Sequence, residues 1–232
     1  PPQAACFVAP YVSSWADRRR ARSSIRTDWT ALNARTSAAI FIPADTAPQE
    51  IRDCLHEELA QALGPLNDLY RLHDSVFNDD NMHGVLTGFD MLVLRAIHAP
   101  ELANGMGAAE VAARLPAVLA RINPGGGAGG IAAGSVTPRA FVKAVETAIG
   151  PSAAPATRRN AAITAVRIAE DAGWRDTRTG FAKLIYGRLS IASAPHAALT
   201  ALFEAGQASS AQGLWLQAAH VEMQLAAFAL SQ

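Results

Sequence analysis

The residues of this chain whose types and spacing suit chemistry gather in one stretch, Glu57-Glu58-Leu-Ala-Gln61-Ala-Leu-Gly64-Pro-Leu-Asn67-Asp68. Glu57 and Gln61 stand four apart, so a helix brings them to one face. Adjacent glutamates on a helix point about 100° apart, so only one of Glu57 and Glu58 need enter a cleft. The dipeptide His56-Glu57 looks like the start of a HExxH zinc site, but the second histidine would fall at Ala60, which donates nothing to a metal. A second reading needs no metal: Gln61 and Asn67 would fasten the turn after Gly64 to the helix within a buried hydrogen-bond network.

The elements that must position these residues follow from period and punctuation. Residues 4–12 read as a strand with Pro10 suggesting an edge, and Ala38-Ala-Ile-Phe-Ile42 as a second strand that stops at Pro43. Between them a helix over 14–33 is expected, capped by Ser13 or Ser14, with Trp15, Ile25, Trp29 and Leu32 as its apolar positions. Thr46 and Pro48 open the central helix, and Ile51, Leu55, Leu59 and Ala62 form the face predicted to pack into the core. Gly64 supplies a left-handed end and Pro65 prevents continuation.

Residues 69–85 hold no clear period and read as a loop, in which Asn78, Asp79, Asp80 and Asn81 are turn formers. His73, His83 and His98 are the histidines that would have to rescue a zinc site. A helix follows from the cap Thr87 with Asp90 at its third position, and another from about 108 to 121.

The tract from Asn123 to Gly134 is glycine-rich without the preceding strand that a phosphate-binding loop requires, so it reads as a linker. Beyond it, alanine-rich helices are predicted at 138–149, 155–173, 177–192, 195–205 and 209–230. Segments opening at Gly180 and Gly213 start alike and lie about one helical hairpin apart, resembling tetratricopeptide-type packing. The four tryptophans Trp15, Trp29, Trp174 and Trp215 read as core.

Composition narrows the function. The chain has 232 residues, half of them apolar, and 20 basic against 20 acidic residues. That balance removes the electrostatic footprint of a nucleic-acid binder, and the run Arg18-Arg19-Arg20-Ala-Arg22 reads as a solvated face. No apolar run is long enough to span a bilayer. The two cysteines, Cys6 and Cys54, either pair as one disulfide, implying an oxidising compartment, or remain two buried thiols. The abrupt opening at Pro1-Pro2-Gln3 suggests a processed or truncated start.

Shifted by one residue from His56, the stretch Glu57-Glu58-x-x-Gln61-x-x-Gly64-x-x-Asn67-Asp68 resembles the HExxHxxGxxH frame of metzincin metallopeptidases with each histidine replaced. The likeness continues in Ser75-Val-Phe77, where metzincins have a Ser-x-Met turn, and in Leu86-Thr-Gly-Phe-Asp90 opening the next helix. The block over roughly 5–124, with Cys54, Phe77-Asn-Asp-Asp80 and Leu94-Arg-Ala-Ile-His98 through Met106, also resembles bacterial envelope proteins of the DUF2927 type, which bring no established activity.

The resemblance implies an α+β architecture: a zincin-like domain over 1–123 with a short mixed sheet and a central motif helix, a linker over 124–136, and an all-α helical-hairpin domain over 137–232. It also implies further strands upstream of Cys6. Glu57, Gln61, Asn67 and Asp68 would be the metal set, Glu58 the general base, and Gly64, Ser75, Phe77 and Asp90 the structural positions. An oxygen-only set suits calcium or magnesium better than zinc.

Two functions therefore stand: a binding or scaffolding protein of the periplasm or envelope that needs no cofactor, or a metal-dependent hydrolase. In the first, the helical domain would take a protein or peptide partner. In the second, the divalent ion would be calcium, magnesium or zinc.

Overall fold

Two short apolar runs pair as the sheet of the first unit. β1 (Phe7–Pro10) and β2 (Ala38–Phe41) pair antiparallel with Phe7 opposite Phe41 and Pro10 opposite Ala38. The rings of Phe7 and Phe41 stack with centroids 5.0 Å apart, the contact expected of an aromatic cross-strand pair. The structure, a computed structural model, describes residues 6–28, 31–32, 34–66, 68–78, 82–126, 135–150 and 152–230. Its class is α+β: mostly helical, with this two-stranded sheet among the described residues.

The chain divides into two compact units. One comprises Pro1–Asp68, Asp74–Phe77 and His83–Ala132, the other Leu69–His73, Asn78–Met82 and Ala133–Gln232. Among the described residues no helix is long and apolar enough to cross a membrane.

In the first unit, α1 (Trp15–Arg20) starts where Ser14 accepts a hydrogen bond from the Asp17 amide at 3.1 Å. The helix expected to reach residue 33 ends at Ala21. Thr27 Oγ1 donates to the carbonyls of Ala21 and Ser24 at 2.8 and 3.0 Å, giving the backbone an alternative to the helical ladder, and a single 3-10 turn, Ile25–Thr27, follows. Ile25 is exposed rather than core, and Trp29 lies outside the described residues. Trp15 is half-exposed, with its ring edge on Phe41.

α2 (Pro48–Leu63) begins one residue after Ala47, not at Thr46, and Glu50 closes its first turn by accepting from the Ala47 amide at 3.1 Å. α3 (Gly88–Ile97) and α4 (Ala108–Ile122) complete the unit, packed on each other through Ala96, Ala99 and Val118. α3 has the predicted cap, with Thr87 and Asp90 bonding each other's backbone amides.

The second unit is a row of helices: α5 (Arg139–Ile149), α6 (Pro155–Asp171), α7 (Thr177–Ser190), α8 (Pro195–Ala211) and α9 (Trp215–Leu230). Each packs on the next, and α7 also touches α5 and α9. The core is made of Phe141, Val145, Phe181, Leu202 and Val221 among many alanines. At Gly187 an added Cβ would lie 2.7 Å from Leu202 Cγ, so glycine lets α7 and α8 approach.

The predicted break at Gly206 is absent: α8 runs through it to Ala211, and the chain turns at Gly213, whose φ is +69°. Gly180, by contrast, lies inside α7. The two glycines that suggested a repeat therefore do different work. Trp174 packs against this core, whereas Trp215 is largely exposed.

Arg178 is the largest fully buried side chain of the unit. Its guanidinium binds Asp176 Oδ2 at 2.6 Å and the Ser135 carbonyl and Thr137 hydroxyl at 2.9 and 3.0 Å, and it stacks on Trp174 at 3.6 Å. A buried guanidinium needs every such partner. Ser135, near the end of the stretch predicted as linker, and Thr137, the first residue of the predicted helical domain, are fastened to α7; positions 127–134 lie outside the described residues.

Lys183 of α7 bridges its neighbours, binding Glu170 of α6 at 3.0 Å and Glu204 of α8 at 2.6 Å. Burial pulls its pKa down, but the hydrogen bonds to Glu204 and Glu170 more than offset this, leaving it above the usual lysine value. A raised folded-state pKa favours the folded protein below the unfolded value, about 10.4, and that contribution disappears as pH rises through the folded value. Chemical unfolding measured from pH 8 upward should therefore show an alkaline loss of stability that is smaller in Lys183→Met. An identical alkaline slope in the two proteins would contradict it.

Candidate functional site

The site residues hang on α2, so its orientation decides what they can do. Cys54, Glu58 and Gln61 follow at intervals of four and three and share one face. Cys54 forms a disulfide with Cys6, which immediately precedes β1, with the two Cα atoms 6.0 Å apart. The bond joins residues 48 apart in sequence and restrains the unfolded chain by about 4 kcal/mol on chain-entropy reasoning. It also presents this face of α2 to the sheet.

Glu58 and Gln61 are consequently buried, and Glu57 is half-buried. The stripe predicted to face the core turns the other way: Ile51, Leu55 and Leu59 are exposed, as is Leu63, while Ala62 is intermediate. The cause is geometric. Leu55 follows Cys54 and Leu59 follows Glu58, and consecutive helical residues point about 100° apart.

The C-terminal end of α2 is closed by three contacts from separate parts of the first unit. Gln61 Nε2 donates to Asp68 Oδ1 at 2.9 Å, drawing the segment after Pro65 back to the helix. His98 Nε2 lies 2.7 Å from the Leu63 carbonyl oxygen, and Arg35 Nη2 donates to the Gly64 carbonyl at 3.1 Å. Burial holds the Arg35 guanidinium below its usual pKa. These bonds take carbonyls that the end of a helix leaves without intrahelical donors.

Gly64 is not left-handed, since its φ is −141°. What it provides is room: an added Cβ would stand 2.6 Å from Leu94 Cδ2 of α3.

The loop after α2 is pinned by one carboxylate. Asp90, fully buried, accepts from Ser75 Oγ at 2.5 Å, the Val76 amide at 3.1 Å and the Thr87 amide at 2.8 Å. Ser75 Oγ in turn accepts from the Phe77 amide at 3.0 Å, and Phe77 is buried. Ser75 and Phe77, two of the structural positions the resemblance implied, thus sit in one turn, and a third, Asp90 of α3, holds it.

The three histidines have separate engagements. His83 Nδ1 is 3.8 Å from Asp74 Oδ1, His98 is engaged at Leu63, and in the second unit the His73 carbonyl accepts from Gln217 at 2.6 Å. Among the described residues no three His, Cys, Asp or Glu side chains gather as a metal set. Asn67, one of the predicted ligands, lies outside the described residues, as do Asp79, Asp80 and Asn81; Asn78 is buried and donates to the Leu72 carbonyl. Of the predicted ligand set, which is all amide and carboxylate, Gln61 and Asp68 bond each other, an arrangement that does not fit zinc.

A family model described as "Protein of unknown function (DUF2927)" matches residues 1–117. The chain belongs to the DUF2927 family. The matched span holds α2, the disulfide and the Ser75–Asp90 turn, whereas α5 to α9 lie beyond it. No curated protein and no solved structure matches the chain.

Arg35 and His98 as fasteners of α2, and Arg178 in the second unit, escaped the sequence reading. Arginine and histidine reach backbone carbonyls far along the chain, and such contacts leave no local spacing. The Asp90 turn generates a test by urea unfolding. Asp90→Ala strands two backbone amides and a hydroxyl and is expected to lower stability by about 3 kcal/mol, against about 1 kcal/mol for Ser75→Ala. An Asp90→Ala loss no larger than that of Ser75→Ala would contradict the assigned role.

Proposed function

We propose that this DUF2927 protein is a non-proteolytic binding or scaffolding protein of the bacterial cell envelope. In this reading a zincin-like frame of helix, glycine turn and Ser-x-Phe turn survives, and its metal chemistry has been replaced by hydrogen bonds. The observation that carries the reading is the bond from Gln61 to Asp68. Two members of the only ligand set that the frame offers are used on each other, which turns a ligand set into a fastener.

Other features support it. The Cys6–Cys54 disulfide fits an oxidising compartment such as the periplasm. A row of helices packed each on the next, in the manner of helical-hairpin repeats, is a form that offers extended surface to a protein or peptide partner.

The rival reading is a metal-dependent hydrolase with Glu58 as general base, and the burial of Glu58 on the inner face of α2 favours it. One experiment separates them. The full chain is incubated with zinc, calcium or magnesium, dialysed, analysed for metal, and assayed against unstructured peptide beside Glu58→Gln. The expected result is less than one equivalent of any metal and the same background hydrolysis in both proteins. A retained equivalent of metal, with hydrolysis lost in Glu58→Gln, would establish the hydrolase instead.

A further inference from the structure

The second unit carries a partly open cavity of about 370 Å³. Its wall comes from the end of α5, the start of α6, the length of α7 and His220 of α9, with Met82 contributed by the loop segment that belongs to this unit. The floor is apolar, with Phe181 and Leu184 both buried. Two cations, Arg158 and Arg188, line it, and no acidic residue does.

We propose that this cavity binds a small amphiphilic anion: an acyl or aryl body terminated by a carboxylate or phosphate. The volume lies at the small end of ligand pockets, which run roughly 300–1,000 Å³ and combine an apolar lining with a few placed polar groups. It suits a small molecule rather than a folded partner.

The charge argument is independent of the shape. Elsewhere in the unit the inward cations are matched, Arg178 by Asp176 and Lys183 by Glu170 and Glu204. Neither cavity arginine has a carboxylate partner among the described residues. Two guanidinium groups beside low-dielectric walls focus a positive potential, and an anion entering there removes it.

Arg158 is also held in place before any ligand arrives. Its Nε donates to the Ala148 carbonyl at 2.8 Å and Nη2 to the Ile149 carbonyl at 3.4 Å, at the C-terminal end of α5. That fixes the guanidinium plane and leaves Nη1 for an oxyanion. Arg188 is exposed at the rim, free to close over a head group, while the apolar body lies on Phe181 and Leu184.

The inference concerns the second unit and does not rest on the reading of α2. Its test is calorimetric titration of the full chain with octanoate, octyl phosphate, octanol and acetate, repeated on Arg188→Ala and Arg188→Glu after thermal unfolding has shown each variant folded. Octanoate or octyl phosphate should bind saturably, and octanol and acetate at least about tenfold more weakly, because each lacks one half of the recognition. Arg188→Ala should weaken the bound anion by about tenfold and Arg188→Glu by more. Tighter binding of octyl phosphate assigns a phosphate ester, and tighter binding of octanoate a carboxylate. Absence of saturable binding by both anions, or equal affinity in Arg188→Glu and the parent chain, would overturn the proposal.

Discussion

A polar side chain taken out of water must find its hydrogen-bond partners inside the protein, and an unmade bond there is more damaging than a made one is helpful. α2 is turned so that Glu58 and Gln61 go inward. The first unit is arranged around that constraint. Gln61 meets Asp68, the carbonyls at the end of α2 meet His98 and Arg35, and Asp90 collects the turn that follows. The disulfide from Cys54 ensures that this face, and not the apolar one, is presented to β1.

The second unit meets the same constraint differently. Its alanines and glycines let helices approach until little room remains for polar side chains, and the buried guanidinium, Arg178, is enclosed by Asp176, Ser135, Thr137 and the Trp174 ring. Where cations lack that enclosure, at Arg158 and Arg188, the packing opens into a cavity. Closed polar networks therefore mark fixed structure in this protein, and unmatched charge marks a place for something else.

Much of the architecture was legible locally. The Thr87–Asp90 cap, the strand ended before Pro43 and the helix start at Pro155 each depend on neighbours in sequence, where propensity and capping speak directly. The direction of α2 was not legible. Its period announces two distinct faces, and the usual preference buries the apolar one; a disulfide from Cys54 to Cys6 and long-range bonds from Arg35 and His98 reverse that choice, and all three partners lie outside the helix.

Glycine was ambiguous for a related reason. Gly64, Gly206 and Gly213 look alike in sequence, yet one leaves room for Leu94, one continues a helix and one takes a positive φ. The candidate site was legible as a group of positions, since Gln61 and Asp68 do meet and Ser75 does bind Asp90. Of the two residues expected to return to the Gln61 face, Asp68 does so, and Asn67 lies outside the described residues.

The central claim, that the polar face of α2 fastens structure, is tested most directly by a double-mutant cycle on Gln61 and Asp68, both changed to Ala, with unfolding measured in the presence of a metal chelator. A favourable coupling of about 1 kcal/mol between the two side chains is expected without metal. A coupling of zero in chelator that appears only when a divalent ion is added would contradict it.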